Sequence, residues 1–315
     1  MFKLVCGAGN EDVKSVKRLV FIYASAGCKL FDISARKEIL EAAKSGSKLA
    51  GADDIHFCVS IGIKGDKHIK KAKIYESKCI RCGNCFKNCP NDAITSHPYH
   101  SSTIGEWYPA IDNKKCIGCS ICFQKCPIGA IIMEEKDVNF QEVLPYMVNN
   151  GVEYLELHIM GHDKKDLEKK WQVINECSPK YASICIDREN FGNKEVLDRI
   201  KEMISTREPY TTIIQADGVP MSGGNDDYKT TLQAVAMAEV IQNANLPVYI
   251  MLSGGTNSKT AELAKMCGIN YWGIAIGSWA RKIVKPYTSI EDFWENKDAQ
   301  KEAILTANKL VESCK

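Results

Sequence analysis

The sequence predicts an α/β fold built on a parallel sheet, most simply a (β/α)8 TIM-barrel-like domain. Three observations carry that reading. Short apolar segments alternate with amphipathic ones along nearly all of the 315 residues. Eight short segments occur, nearly all in strand-then-helix order, which implies parallel pairing and suits a closed barrel. Finally, a cysteine-rich stretch of roughly seventy residues interrupts the order after the third strand, far longer than an ordinary strand-to-helix loop. An open doubly wound sheet fits the same alternation and is the alternative.

Phe2 to Gly7 reads as a buried strand ending in glycines. Glu11 to Ala26 follows as a helix, with Val13, Val16, Leu19, Val20 and Tyr23 on one face. Lys29–Ile33 is the second strand, and Ser34 stands where the N-cap of a helix from Ala35 to Leu49 belongs. Ile55–Ile61 is the third strand. After the interruption come a helix over Phe140–Asn149 closed by Gly151, a strand over Val152–Ile159 and a helix over Asp163–Cys177. Then follow the strand Tyr181–Asp187, the helix Asn193–Thr206, the strand Thr211–Ala216 and a Gly-rich loop, Asp217–Asp227, in which Met221–Asn225 has the flexible composition of a lid or, equally, of a disordered surface loop. The helix Tyr228–Asn243, strand Pro247–Leu252, helix Ser258–Cys267 and strand Tyr271–Ile276 complete the eight units. Helices near Ile290–Trp294 and over Ala299–Cys314 end the chain.

The interruption carries the chemistry. Cys79, Cys82, Cys85 and Cys89-Pro90 repeat as Cys116, Cys119, Cys122 and Cys126-Pro127. Two-residue gaps let three thiolates converge from one tight turn, and the proline ends any helix at the fourth cysteine. Thiolate sulfur suits iron–sulfur clusters, and in a doubled motif the fourth cysteine of each run ligates the other run's cluster. The spacing therefore predicts two [4Fe–4S] clusters. Cys79, Cys82, Cys85 and Cys126 would hold cluster 1, and Cys116, Cys119, Cys122 and Cys89 cluster 2. Zinc would call for paired knuckles instead, and disulfides for an oxidising compartment. The remaining seven cysteines show no metal spacing, and most read as small buried hydrophobes.

Composition is that of a globular protein, 45% hydrophobic and 25% charged. A net charge of +2 argues against nucleic-acid or membrane binding by bulk electrostatics. No apolar run reaches membrane-spanning length, and the N-terminus lacks the features of a signal peptide. A cytoplasmic protein is expected.

As a strand-to-helix loop, the insertion falls at the C-terminal face of the barrel, where active sites form. There Ser253-Gly254-Gly255 and Gly277-Ser278 end the last two strands, a place where barrels bind phosphate; a phosphate-bearing ligand such as flavin mononucleotide is the candidate, and simple turns are the alternative. Asn10, Asp32, Ser60, His158, His162, Asp187, Gln215 and Asp217 are the other polar strand ends. Asp217 and Asp187 are candidates for proton transfer or cation binding, with helix capping the plainer role for Asp187. His158 reads as structural and His162 as exposed. Cys6 reads as a buried thiol facing the mouth or a helix.

Residues 74–133 resemble the bacterial two-cluster ferredoxin. The likeness includes Asn91–Ile94 and Ile128–Ile131 after the prolines and Ile111-Asp112 before the second run. It departs from that family in a polar, aromatic-bearing spacer, His97 to Pro109. The whole chain, from Leu4–Ala8 through the clusters to Gln215–Gly218 and Ser253–Gly255, resembles the LdpA family, named for a cyanobacterial iron–sulfur protein that adjusts the circadian period to cellular redox state. The resemblance implies a redox-responsive iron–sulfur protein rather than a clock role.

The expected organisation is 1–72 as the first part of the barrel (strands one to three), 73–135 as the ferredoxin-like insertion and 136–315 as the remaining barrel with C-terminal helices. The expected function is electron transfer through both clusters to a flavin, ligand or substrate at the barrel mouth, as an oxidoreductase or a subunit of one. The alternative is a non-enzymatic redox-sensing, regulatory electron-transfer protein. Either needs a redox partner protein or a small-molecule substrate.

Overall fold

The computed structural model describes residues 1–7, 9–66, 69–98, 107–136, 138–187, 191–219 and 224–315. Eight parallel strands form its centre: β1 (Phe2–Val5), β2 (Leu30–Ser34), β3 (His56–Gly62), β8 (Tyr154–His158), β9 (Tyr181–Ile186), β10 (Thr212–Asp217), β11 (Tyr249–Ser253) and β12 (Gly273–Ile276). They pair in chain order, and β1 returns to β12 with Phe2 opposite Ile274, so the sheet closes into a barrel. The doubly wound alternative is thereby excluded. Between β3 and β8 the chain leaves the barrel to form β4 (Lys70–Ile74), β5 (Ile94–Pro98), β6 (Trp107–Ile111) and β7 (Ile131–Glu135). It then returns so that Ser60 of β3 stands directly beside Glu156 of β8.

The helices are α1 (Val13–Ser25), α2 (Lys37–Leu49), α3 (Asn84–Lys87), α4 (Ile121–Gln124), α5 (Phe140–Asn149), α6 (Lys164–Glu176), α7 (Asn193–Ile204), α8 (Tyr228–Asn243), α9 (Thr260–Met266), α10 (Ser278–Thr288) and α11 (Lys297–Ser313). Several start where a side chain answers the unpaired N–H groups of the first turn. Asp12 caps α1, Asp163 caps α6, Asp227 caps α8 and Asn296 caps α11. Ser34 does not cap α2. It is the last residue of β2, and its hydroxyl donates to the Asn10 carbonyl at 2.9 Å. The segment Ile290–Trp294, expected to be helical, is instead a turn; the helix lies earlier, as α10.

Period-two alternation divides the barrel residues between two environments. Leu4, Ile33, Val59, Leu155, Ile184, Ile214, Leu252 and Ile276 point outward into the layer shared with the helices. The opposite faces point into the lumen. Its N-terminal end is closed by Leu30, Cys58, Tyr154, Ile213, Met251 and Ala275. Below these, Tyr154 stacks on Tyr181 at 5.1 Å, and Trp272 lies 5.9 Å from Tyr249. The C-terminal half of the lumen is polar. No helix among the described residues is long and apolar enough to cross a membrane.

Candidate metal centres and the barrel mouth

The two cysteine runs fold as a pair of near-identical halves. β4 pairs antiparallel with β7, and β5 with β6. Tyr75 donates its N–H to Ala130 and Asp112 donates its N–H to Ala93, each at 2.8 Å. The turns that gather the thiols need left-handed backbone at matched positions. Arg81 and Gly118 have φ of 59° and 75°, and Gly83 and Ser120 have 77° and 58°. A side-chain-bearing residue in this region costs roughly 1–2 kcal/mol. Arg81 and Ser120 carry that strain, which points to a selected geometry.

Two cavities lie in this module. One is lined by Cys79, Cys82, Cys85 and Cys126 among others. The other is lined by Cys89, Cys116, Cys119 and Cys122 among others. Three thiols of one run thus share a cavity with the fourth thiol of the other. Backbone N–H groups of Arg81, Ala93 and Ala130 approach the sulfurs of Cys79, Cys89 and Cys126 at 3.2–3.4 Å. Burial, with the neighbouring thiols Cys119, Cys116 and Cys89, pushes the Cys122 thiol up to about 12. Four sulfurs converging in a partly buried pocket suit a cationic metal core, which offsets their mutual repulsion.

The second cavity faces the barrel. The buried ammonium of Lys71 in β4 donates to the carbonyls of Cys116 (2.6 Å), Asn113 (2.9 Å) and Gly9 (2.5 Å). Glu11 donates its N–H to the Lys114 carbonyl at 2.8 Å. From α10, Lys285 pairs with Asp92 at 2.8 Å. The half-buried Arg281 donates to the Val5 carbonyl at 2.7 Å and interacts electrostatically with Cys119, Cys6 and Asp32. The first cavity lies away from the barrel's loops, and Cys82 is exposed. Of the cavity's lining residues Ile80 and Ile128 are 61% and 42% exposed; Phe86 of α3, Phe123 of α4 and the lysines Lys78, Lys87 and Lys125 are exposed as well.

Below the module lies a network of buried polar groups where such barrels ordinarily carry branched apolar side chains. Lys3 reaches Glu156 at 2.7 Å and Gln215 at 3.0 Å. Glu156 also accepts from Ser183 (2.8 Å) and Gln215 (3.1 Å) and meets His158 at 3.0 Å. Ser60 donates to Asp32 at 2.5 Å. The Cys185 thiol lies 3.4 Å from Asp217 and 3.2 Å from the Gln215 amide. Burial opposes ionisation of Glu156, but Lys3 and His158 outweigh it and hold the carboxyl well below the usual range. Burial likewise opposes charge on His158, yet Glu156 and Asp66 raise it to about 9. Glu156, His158 and Cys185 offer ligand atoms within 4.8 Å of one another. With the Lys3 ammonium already on Glu156, this trio reads as part of a neutralised network.

The expected site residues fall in several places. Asp187 and Asp217 are buried at the ends of neighbouring strands β9 and β10. Neither caps a helix: the N-cap of α7 is Gly192 and that of α8 is Asp227. Asp217 joins the network through Cys185. Gly254 and Gly255 have φ of 71° and 79°, and a Cβ at Gly254 would lie 1.5 Å from Asp217 Oδ1. This pair makes a turn that lets the backbone pass against Asp217. Gly277 lies against Arg281 and Val5, and Ser278 opens α10. His162 is exposed beside Phe191, and Cys6 is buried in the layer between barrel and helices. Asn10 holds the β1–α1 loop by donating to the Cys6 carbonyl at 3.1 Å. Ala8, most of the Met221–Asn225 segment and much of the His97–Pro109 spacer lie outside the described residues.

Sequence reasoning missed Lys3, Glu156 and Cys185 as network members. It also missed a small cavity at the mouth, over β1–β3, with Ser60 and His158 in its floor and Arg36, Lys71, Lys136 and Glu11 in its walls. The available signal was Glu156 and His158 at period two in an otherwise apolar strand.

The Light dependent period A C-terminal domain family matches residues 146–313, and the 4Fe-4S dicluster domain family matches residues 72–133. The chain is 28% identical over 294 residues to Light dependent period A of Synechococcus elongatus, covering 89% of this chain and 80% of that protein. Among solved structures it is similar to a truncated 3-deoxy-D-arabino-heptulosonate 7-phosphate synthase from Thermotoga maritima (10% identity, TM-score 0.46, 100% of this chain and 87% of that one). It is also similar to orotidine 5'-phosphate decarboxylase from Pyrococcus horikoshii (11% identity, TM-score 0.41, 98% of this chain and 99% of that one).

Proposed function

The chain belongs to the Light dependent period A family, and from that premise we propose that two [4Fe–4S] clusters connect an external redox partner to the barrel mouth. An iron–sulfur redox role follows from the dicluster domain itself. The observation that carries the finer reading is the pair of four-cysteine cavities. Cys79, Cys82, Cys85 and Cys126 hold cluster 1, and Cys116, Cys119, Cys122 and Cys89 hold cluster 2. Bound there, the clusters supply one-electron transfer. The chain's own contribution is placement. Exposed Cys82 and the apolar, basic surface around it receive the partner. Lys71, the Glu11 backbone and α10 hold the second site against the mouth.

In this reading residues 73–135 are the electron-transfer unit, while 1–72 and 136–315 form the barrel that receives electrons. Asp217 and Asp187 are the candidate proton-handling groups. A flavin mononucleotide or other phosphate-bearing ligand at Ser253, Gly254, Gly255, Gly277 and Ser278 is the narrower version, supported by their place at the ends of β11 and β12. Eight cysteines kept as cluster ligands call for a reducing setting, and a cytoplasmic location is read from that requirement. A regulatory, redox-sensing role is the second reading, favoured by likeness to a relative named for light-dependent period.

The test is on protein purified without oxygen. About eight irons and eight sulfides per chain are expected, with about half the iron lost in Cys82→Ser and in Cys119→Ser. Wild-type iron and spectrum in both variants would refute the ligand assignment. Acid release of a flavin supports the narrower version; its absence shifts weight to relay or sensing.

A further inference from the structure

We infer that the cavity between the ferredoxin-like module and the loops of β1–β3 is a binding site for a small molecule bearing an oxyanion, carboxylate or phosphate, with Arg36 as its principal anchor. The inference rests on the electron-transfer reading only for the purpose of binding, not for its existence. The cavity is small, with space for only a few water-sized groups, which suits an oxyanion such as phosphate or oxalate. Its walls carry three cations, Arg36, Lys71 and Lys136, and one carboxylate, Glu11. Its floor is set by Ser60 and His158, both members of the lumen network.

The charges in the walls are poorly matched. Glu11 is shared between Lys71, at 3.6 Å, and Arg36, whose guanidinium nitrogens stand 3.4 and 3.5 Å from one oxygen. Charge-assisted bonds from a guanidinium ordinarily close to about 2.7–2.9 Å, and its planar fork engages two oxygens at once. Lys71 is oriented by three backbone carbonyls, which satisfy its N–H groups without cancelling its charge. The floor needs no further anion, because His158 already faces Glu156 at 3.0 Å and Asp66 at 3.6 Å. Excess positive charge thus lies in the walls, and an oxyanion entering the mouth meets it there. Lys71 also spans from the wall to the Cys116 carbonyl, so the ligand sits beside the second cluster site rather than over β11 and β12.

Binding is measured by titration calorimetry on the anaerobically purified protein, with iron content determined for every sample. The probes are oxalate for the carboxylate and inorganic phosphate for the phosphate. Saturable binding of either at millimolar concentration is expected, and the probe that binds identifies the chemistry. Arg36→Gln should weaken it about ten- to hundredfold, with Arg36→Lys intermediate. Lys309→Gln, on exposed α11, should bind as the wild type. Saturation by neither probe, or equal affinity in Arg36→Gln and wild type, overturns the inference. Missing iron in the wild type would instead count against the cluster reading, so the two failures are separable.

Discussion

Lys3 Nζ lies 2.7 Å from Glu156 Oε2 in the barrel lumen, and both side chains are 2% exposed or less. An ion pair so deep gains little over an apolar pair, but removing one partner strands the other charge. Lys3→Met should therefore destabilise the protein by about 3–5 kcal/mol. Lys3→Met with Glu156→Gln should recover much of that loss. Denaturant unfolding under anaerobic conditions, clusters intact, measures both. Equal stability of Lys3→Met and wild type would mean that the pair is not formed.

His158 predicts a pH dependence of stability. Burial alone would lower its pKa, but the Glu156 bond and the Asp66 charge raise it to about 9, against about 6.5 in an unfolded chain. A raised pKa contributes stability that is full below about 6.5 and lost as pH climbs through about 9, worth roughly 3 kcal/mol. Other groups titrate in the same range, so the readout is the difference between wild type and His158→Gln. That difference should shrink between pH 7 and pH 10. A constant difference would place the imidazole proton elsewhere.

The shared cavities predict crossed ligation. Cys126 lies in the second run by sequence but lines the first cavity, and Cys89 does the reverse. Cys126→Ala should therefore perturb the cluster held by Cys79, Cys82 and Cys85, giving the same spectral loss as Cys82→Ser. Cys89→Ala should match Cys119→Ser. Electron paramagnetic resonance of the reduced variants separates the two centres. Matching of Cys126→Ala with Cys119→Ser would show that each run holds its own cluster.

The barrel was legible because alternation of buried strands and amphipathic helices is a long, redundant signal, and strand boundaries fell within two residues or so of those observed. The cysteine runs were legible because ligand spacing is local. Helix α10 was not: Pro286 interrupts its pattern, and Ile290–Trp294 imitates a helical face while forming a turn. Ser34 looked like a cap because hydroxyls cap helices, but tertiary contact with Asn10 decided its role. The lumen network stayed hidden because Lys3, Ser60, Glu156, Ser183 and Gln215 come from five strands and meet only on closure. Glycine pairs after the last strands drew attention to one side of the mouth. Among the described residues a cavity also opens over β1–β3, where no glycine-rich motif marks it.

The surface beside the first cavity predicts how electrons enter. Ile80 and Ile128 line that cavity and are exposed, as are Phe86 and Phe123 on the short helices α3 and α4. Lys78, Lys87 and Lys125 are exposed close by in the chain. An apolar centre with a basic rim suits an acidic partner, since complementary charge speeds encounter and salt screens it. Reduced acidic ferredoxin should therefore transfer electrons to this protein at a rate that falls with ionic strength. Reversing two rim charges, Lys87→Glu with Lys125→Glu, should slow transfer about tenfold at low salt. The wild-type and variant rates should converge as salt rises, because the contact patch itself is unchanged. Stopped-flow mixing without oxygen measures both. A variant rate equal to the wild type at low salt would move the entry point off this surface, while a deficit that persists at high salt would point to damaged clusters rather than lost steering.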